Sequence, residues 1–113
     1  YAAEGYRNLM KLKPLWEGVE FRYCDYQHLQ IPDKLCVIYC DPPYAGTQGY
    51  DAVGQFDTNE FWRWCSEQRQ RGHRVLVSEY SAPVGWTEVW SKQRAASLDR
   101  DTGGKISTEK LFI

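Results

Sequence analysis

The sequence predicts an α/β fold in which a mainly parallel sheet ends in a C-terminal antiparallel hairpin. Two apolar runs, within residues 35–39 and 74–80, are typical of strands that are covered on both faces. A helical pattern at residues 58–71 lies between them, which implies a crossover connection and therefore parallel strands. The turn-forming D-R-D-T-G-G followed by K-I-S-T-E-K-L-F-I predicts the closing hairpin.

The segment before the first apolar run predicts one further helix and one further strand. Residues 2–12 carry apolar side chains at helical spacing, and Pro14 ends that helix. The stretch V-E-F-R-Y-C, residues 19–24, alternates apolar and polar side chains, as a half-buried strand does. The predicted order is therefore helix, strand, strand, helix, strand and hairpin.

The helix at residues 58–71 has start and end signals in the sequence. Asp57 and Glu60 are three residues apart, as in a capping box, and Gly72 follows where a left-handed C-terminal cap belongs. Trp62 and Trp64 lie on this helix. We expect both rings in the core rather than stacked on a nucleic acid.

Length and composition indicate one folded domain without a second independent core. The chain has 113 residues, of which 42% are hydrophobic and 26% charged, an ordinary balance for a globular protein. The 14 Lys and Arg against 15 Asp and Glu give no global positive field, so any contact with a nucleic acid must be local. Basic residues near the terminal hairpin either contact phosphates or form a solvated surface: Lys92, Arg94, Arg100 and Lys105.

The cysteine and histidine pattern predicts no metal site. The four cysteines form no C-x-x-C pair and no cluster with zinc-ligand spacing, which favours free thiols in a reducing cytoplasm. His28 and His73 are isolated and are expected to be surface or structural residues. No apolar stretch approaches the roughly 20 residues of a membrane span, and no signal peptide is visible. We expect a cytoplasmic protein without a membrane partner.

The stretch V-I-Y-C-D-P-P-Y, residues 37–44, is the main functional signal. Ligands of open α/β sheets bind beyond the carboxyl ends of the strands, where this stretch has its acid, prolines and tyrosine. The pairs Asp25-Tyr26 and Glu79-Tyr80 follow the other predicted strands in the same way. The sequence therefore predicts a pocket for a flat ligand with an exocyclic amine, such as a nucleobase.

The residue types of this stretch indicate an amine acceptor. The prolines have no N–H to donate, so the Asp41 carboxylate and the Pro42 carbonyl can each accept one hydrogen of an NH₂ group. Tyr44 can stack on the base. This arrangement orients the amine for attack on a carbon electrophile. The alternative is that D-P-P-Y is only a strand-ending turn, but the preceding buried strand and Tyr44 favour a site.

With its surroundings, this stretch resembles motif IV of the Dam-type, alpha-class adenine-N6 DNA methyltransferases. The resemblance continues in G-T-Q-G-Y-D-A-V-G-Q-F-D, in R-V-L-V-S-E-Y and in T-E-K-L-F-I, and covers roughly residues 19–113. It implies part of a Rossmann-like methyltransferase sheet, S-adenosylmethionine as the cofactor and double-stranded DNA as the partner. It also implies that the target base is flipped out of the duplex.

The resemblance assigns a role to each matching position. The expected catalytic residues are Asp41, Pro42, Pro43 and Tyr44. Asp25 and Tyr26, together with Asp41, are expected to contact the cofactor. Tyr44, Tyr50 and Phe56 are expected to contact the target base, and residues 46–56 to close over the target nucleotide.

Two parts of the family pattern do not occur in this sequence, namely a Phe-x-Gly-x-Gly loop for the cofactor's methionine part and a target-recognition domain. We therefore expect residues 1–113 to be the C-terminal catalytic portion of a methyltransferase domain, a fragment with weak or no activity alone. Two alternatives remain open. One is a ribosomal-RNA guanine-N2 methyltransferase-like domain. The other is a non-catalytic remnant of phage or prophage origin that forms a homodimer.

Overall fold

The computed structural model describes residues 2–44, 56–95 and 106–113, and the chain divides into two compact units, Tyr1–Ile31 and Pro32–Ile113. The first unit contains helix α1, Ala2–Leu12, which confirms the predicted helix. The helix continues into a 3-10 turn at Lys13–Trp16, and a second 3-10 turn covers Tyr26–His28.

The predicted strand at residues 19–24 is wrong. This segment has no strand pairing, and its aromatic side chains are exposed, with Phe21 at 73% and Tyr23 at 107% of full accessibility. Alternation of polar and apolar side chains is a local signal, whereas a strand requires a neighbour for its backbone N–H and C=O groups. The described residues of the first unit offer no such neighbouring strand.

The second unit is a mixed four-stranded sheet with one helix. Its elements in chain order are β1 (Val37–Cys40), α2 (Thr58–Gln70), β2 (Arg74–Glu79), β3 (Glu88–Ala95) and β4 (Ile106–Phe112). The strand order across the sheet is β1-β2-β4-β3. The α/β class is thus confirmed for the described residues.

The directions of the strands refine the predicted sheet. β1 and β2 pair in parallel, whereas β4 pairs antiparallel with both β2 and β3. β1, β2 and β3 therefore run in the same direction, and β4 runs against them. The predicted C-terminal hairpin is confirmed as β3–β4. Of the three pairings among the described strands, one is parallel, because the returning strand of the hairpin lies between β2 and β3, so the sheet is mixed rather than mainly parallel. The prediction that β1 is covered on both faces is wrong, since Val37 and Tyr39 are exposed on this outer strand.

The ends of α2 are fixed as the sequence predicts. The Glu60 backbone N–H donates to the Asp57 carboxylate at 2.9 Å, which forms the N-cap. Gly72 has φ 95°, the left-handed conformation that ends a helix, and glycine adopts it without strain. A Cβ at this position would also lie 2.9 Å from the Leu35 side chain.

The core of the second unit lies between α2 and one face of the sheet. Phe61, Trp62, Cys65 and Gln68 are the buried residues of α2, and Val75, Val77 and Phe112 are buried on the sheet. Trp62 packs edge-on against Trp86, with ring centroids 4.9 Å apart, as well as against Phe112. The core prediction is confirmed for Trp62, while Trp64 is half-buried.

A buried histidine ties the starts of β1 and β2 together. His73 is only 5% exposed, and its Nδ1 accepts a hydrogen bond from the Cys36 backbone N–H at 3.3 Å. The Arg74 N–H donates to the Cys36 carbonyl at 3.0 Å, one step further along the same ladder. His73 thus has the structural role that the sequence predicts, since its ring supplies the acceptor that Cys36 needs.

We expect Val77→Ala to destabilise the protein by about 2 kcal/mol, because it removes fully buried methyl groups and leaves a cavity. Val84→Ala is the matched control, since Val84 is fully exposed. Chemical denaturation measures both variants. Equal midpoints for the two variants would contradict the assignment of Val77 to the core.

Candidate active site

The candidate site begins directly after β1, at Asp41–Tyr44. Asp41 is exposed, Pro42 is buried, and Pro43 and Tyr44 are half-buried. The two proline rings fix φ near −65° and remove two backbone donors from the loop. The chain therefore leaves the sheet through a stiff segment whose carboxylate remains in contact with solvent.

The parallel pairing of β1 and β2 brings a second group of polar residues to the same edge of the sheet. Cys40, the last residue of β1, is in register with Val77. The next residues of β2 and beyond are Ser78, Glu79 and Tyr80, so they end at the edge where Asp41–Tyr44 begins. The convergence of D-P-P-Y and S-E-Y is thus present in the structure.

Two contacts join Tyr44 to the end of β2. The Tyr44 hydroxyl and the Ser78 hydroxyl form a hydrogen bond of 2.5 Å, in which either oxygen can donate. The Tyr44 ring meets the Tyr80 ring edge-on, with centroids 4.5 Å apart and an interplanar angle of 83°. The loop is therefore held to the neighbouring strand end by its tyrosine.

The surroundings of Tyr44 keep its phenol neutral. Burial raises the pKa of the Tyr44 phenol, the hydrogen bond from Ser78 acts in the opposite direction, and the negative charges of Asp41 and Glu109 raise the pKa again. The raising effects dominate. Tyr44 therefore remains protonated at every pH at which the protein would act.

Asp41 is accessible to a ligand. Across residues 2–44, 56–95 and 106–113, no side chain makes an ion pair or a hydrogen bond with its carboxylate. Asp41 is three residues before Tyr44 in the chain, and its negative charge contributes to the raised pKa of the Tyr44 phenol. An exposed acceptor next to an anchored aromatic ring can receive an amino group from a flat ligand.

Glu79 has a structural position beside this site. It is only 2% exposed, and its Oε1 accepts a hydrogen bond from the Tyr80 backbone N–H at 2.7 Å. Since side chains alternate along a strand, Glu79 lies on the α2 side of the sheet with Val77, whereas Ser78 faces the other side. This carboxylate fixes the backbone where Tyr80 leaves β2.

The predicted cofactor contacts at Asp25 and Tyr26 belong to the first unit. The Asp25 carboxylate accepts a hydrogen bond from the Gln27 backbone N–H at 2.9 Å and caps the 3-10 turn. The Tyr26 hydroxyl accepts one from Gln27 Nε2 at 3.2 Å. Their participation in a common cofactor site with Asp41 stays a prediction, since they lie in a different unit.

A cavity of about 510 Å³ lies in the first unit next to these two residues. Its volume is in the usual range for a small-molecule site. The lining residues are Glu20, Arg22, Tyr23, Cys24, His28, Leu29 and Gln30.

The remaining predicted base contacts have different outcomes. Tyr50 lies outside the described residues, as does nearly all of the predicted closing segment at 46–56. Phe56 is described, and its ring packs on Phe61 with centroids 5.5 Å apart. The two residues flank the Asp57 cap in the N′ and N4 positions of a hydrophobic staple, which explains Phe56 by helix packing. Contact of Phe56 with a base stays a prediction.

The sequence analysis put the end of this strand at the predicted pocket but assigned no role to Ser78 or Tyr80. The signal that could have identified them is the S-E-Y pattern at the end of the second parallel strand. Their contact with Tyr44 could not be inferred, because it depends on the course of the loop after Pro43.

Neither a metal centre nor a membrane segment is found in the described residues. They contain no group of three or more His, Cys, Asp or Glu side chains arranged to bind a metal ion. None of their helices has the length and apolar character needed to cross a bilayer.

Comparisons of the chain with protein-family models, with curated proteins and with solved structures found no match.

We expect the Tyr44 phenol to ionise above the ordinary tyrosine range near pH 10. Alkaline titration followed by absorbance at 295 nm records the ionisation of the tyrosine phenols. The Tyr44→Phe variant should lack a part of the wild-type absorbance change that occurs at high pH. Tyr23→Phe, which removes a fully exposed phenol, provides the comparison. If the absorbance change that is missing from Tyr44→Phe fell at or below pH 10, this result would contradict the described surroundings of Tyr44.

Proposed function

We propose that this chain contributes the amine-binding part of an enzyme that transfers a methyl group from S-adenosylmethionine to N6 of adenine in DNA. The observation that carries the proposal is the arrangement at the carboxyl end of β1. There an exposed Asp41 carboxylate without a protein partner in the described residues stands beside the anchored ring of Tyr44.

Asp41 and Pro42 bind the target amine in this mechanism. The carboxylate of Asp41 accepts one N–H of the adenine amino group, and the Pro42 carbonyl accepts the other. The nitrogen lone pair then points away from both acceptors, toward the methyl donor. S-adenosylmethionine would supply the methyl group, whose bond to the sulfonium sulfur would break as the C–N bond forms, with S-adenosylhomocysteine as the leaving group. The Asp41 carboxylate would stabilise the positive charge that develops on the nitrogen. After transfer, the Asp41 carboxylate would accept the surplus proton of the amine and pass it to solvent, with which it is in contact, and no covalent intermediate with the protein is needed.

Tyr44 supplies the surface on which the base packs. N6 of adenine is inaccessible to such a site while the base is stacked in a duplex, so the target nucleotide must be flipped out. A flat aromatic side chain next to the amine acceptor compensates part of the lost stacking. The neutral phenol of Tyr44 suits this role, since an ionised phenol would repel the negatively charged DNA.

The residues present fit only part of the cofactor. S-adenosylmethionine supplies an electrophilic methyl group. An acidic residue followed by a tyrosine, as at Asp25 and Tyr26, suits the polar edge and the flat face of its adenine moiety. The Asp25 carboxylate is already used as a helix cap through one oxygen, and the other oxygen remains for a ligand. No residues are assigned to the methionine part, because the glycine loop that the resemblance implies does not occur in this sequence.

The strand directions support the proposal independently of the loop. Three strands of the second unit run in the same direction, and the closing hairpin contributes the single reversed strand. This arrangement is compatible with part of a Rossmann-like sheet that ends in an antiparallel hairpin. It also puts the D-P-P-Y loop at a strand end where α/β proteins bind ligands.

The test is methyl transfer from labelled S-adenosylmethionine to unmethylated duplex DNA, with the protein at the length its gene encodes. We expect Asp41→Ala to lower the rate about 100-fold or more, because it removes an acceptor that acts on the developing charge. Asp33→Ala removes another exposed carboxylate and should leave the rate unchanged. The product is identified as N6-methyladenine after digestion of the DNA.

Two results would contradict the proposal. Full incorporation of the label with Asp41→Ala would show that Asp41 has no role in the mechanism. Methylation of guanine in ribosomal RNA, instead of adenine in DNA, would favour the alternative acceptor.

A specific observation favours a second candidate function, a non-catalytic module that forms a homodimer. Apolar side chains of both outer strands are exposed, with Val37 at 67%, Tyr39 at 63% and Trp90 at 49% of full accessibility. A second copy would remove such side chains from water.

Analytical ultracentrifugation tests the second candidate. A dimer that dissociates in Tyr39→Ser and Trp90→Ser variants would support it, whereas a compact monomer at micromolar concentration would contradict it. The enzymatic proposal predicts no dependence of methyl transfer on Trp90.

A further inference from the structure

We propose that Ser78 and Tyr80 are positioning residues that hold the Tyr44 ring in the orientation in which it packs against a flat, base-like ligand beside Asp41. The inference deepens the proposed function and rests on it for the identity of the ligand. It assigns a task to two residues that the D-P-P-Y motif does not contain.

The two contacts restrain different parts of the same side chain. The Ser78 hydroxyl holds the phenolic oxygen at 2.5 Å, at the outer end of the ring. The Tyr80 ring meets the body of the Tyr44 ring edge-on, at 4.5 Å and 83°. A tyrosine side chain has two torsion angles to fix. A restraint at its tip and a second one on its ring are therefore sufficient to define its orientation.

Both restraints come from a rigid part of the fold. Ser78 is in register with Leu111 of β4, and the preceding Val77 is paired with β1 on one side and β4 on the other. Tyr80 follows Glu79, whose buried carboxylate accepts the Tyr80 N–H. The ring of Tyr44 is thus held by one residue of a central strand and by one that follows it directly.

This arrangement should matter for binding because ordering a side chain on association costs free energy. A ring that is already oriented avoids that cost, which corresponds to roughly 3- to 10-fold in affinity for one immobilised side chain. Loss of the Ser78 hydroxyl should therefore weaken ligand binding without removing the Asp41 acceptor.

A merely structural role for Ser78 predicts a different result. If the hydrogen bond only stabilises the loop, Ser78→Ala would lower the melting temperature and leave the dissociation constant of the folded protein unchanged. If Ser78 acts through the Tyr44 hydroxyl, its effect must disappear when that hydroxyl is absent. A double-mutant cycle separates the two cases.

The experiment measures quenching of 2-aminopurine fluorescence in a single-stranded oligonucleotide as it binds the wild-type protein and the variants. We expect Ser78→Ala to raise the dissociation constant roughly 3- to 10-fold. In the Tyr44→Phe background the same substitution should have no further effect. Ser78→Thr retains a hydroxyl and should recover most of the binding, and Ser81→Ala is the matched control, since Ser81 is exposed just beyond the site.

An equal effect of Ser78→Ala in both backgrounds, or an absence of quenching by the wild-type protein, would overturn the inference. So would an effect of Ser81→Ala as large as that of Ser78→Ala. Circular dichroism melting of each variant shows whether it is folded, and Tyr80→Leu probes the second restraint if Ser78→Ala does not fold. Quenching that follows the expected pattern without any methyl transfer would reject the proposed reaction and support the positioning of Tyr44.

Discussion

The parallel pairing of β1 with β2 is the constraint on which the candidate site depends. It fixes Cys40 opposite Val77, and so the residues that follow each strand emerge at one edge of the sheet. Tyr44 and Ser78 are 34 residues apart in the sequence. Without this register, the D-P-P-Y loop and the S-E-Y stretch would have no reason to meet. The pairing brings Tyr44 and Ser78 to the same edge of the sheet, where the course of the loop after Pro43 puts their hydroxyls in contact.

The pairing is in turn supported by interactions at the starting end of the two strands and on one face of the sheet. At the starting edge, the ring of His73 accepts the Cys36 N–H. On the face of the sheet, α2 buries Val75 and Val77. Within this core, Cys65 is fully buried, and a hydrogen bond to Cys40 raises the pKa of the Cys65 thiol.

The site combines a held aromatic ring with an accessible carboxylate. Tyr44 is half-buried and restrained by two neighbours, whereas Asp41 is exposed and has no protein partner among the described residues. A turn that only ended a strand would need neither feature, because the prolines alone suffice to redirect the chain. The difference between the two side chains is what favours a ligand site over a simple strand-ending turn.

The sequence by itself determined the elements whose signals are local. The caps of α2 at Asp57 and Gly72, the positions of β1 and β2 and the C-terminal hairpin follow from capping residues, apolar runs and turn residues, all of which act within a few positions. The Asp41–Tyr44 loop was identified in the same way.

Tertiary structure decided what depends on distant partners. The alternating segment at 19–24 has no strand to pair with, Phe56 packs in a helix staple, and Tyr44 is held by Ser78 and Tyr80. Those outcomes require knowledge of which backbones lie side by side, and that information resides in the packing of the chain rather than in any short stretch of it.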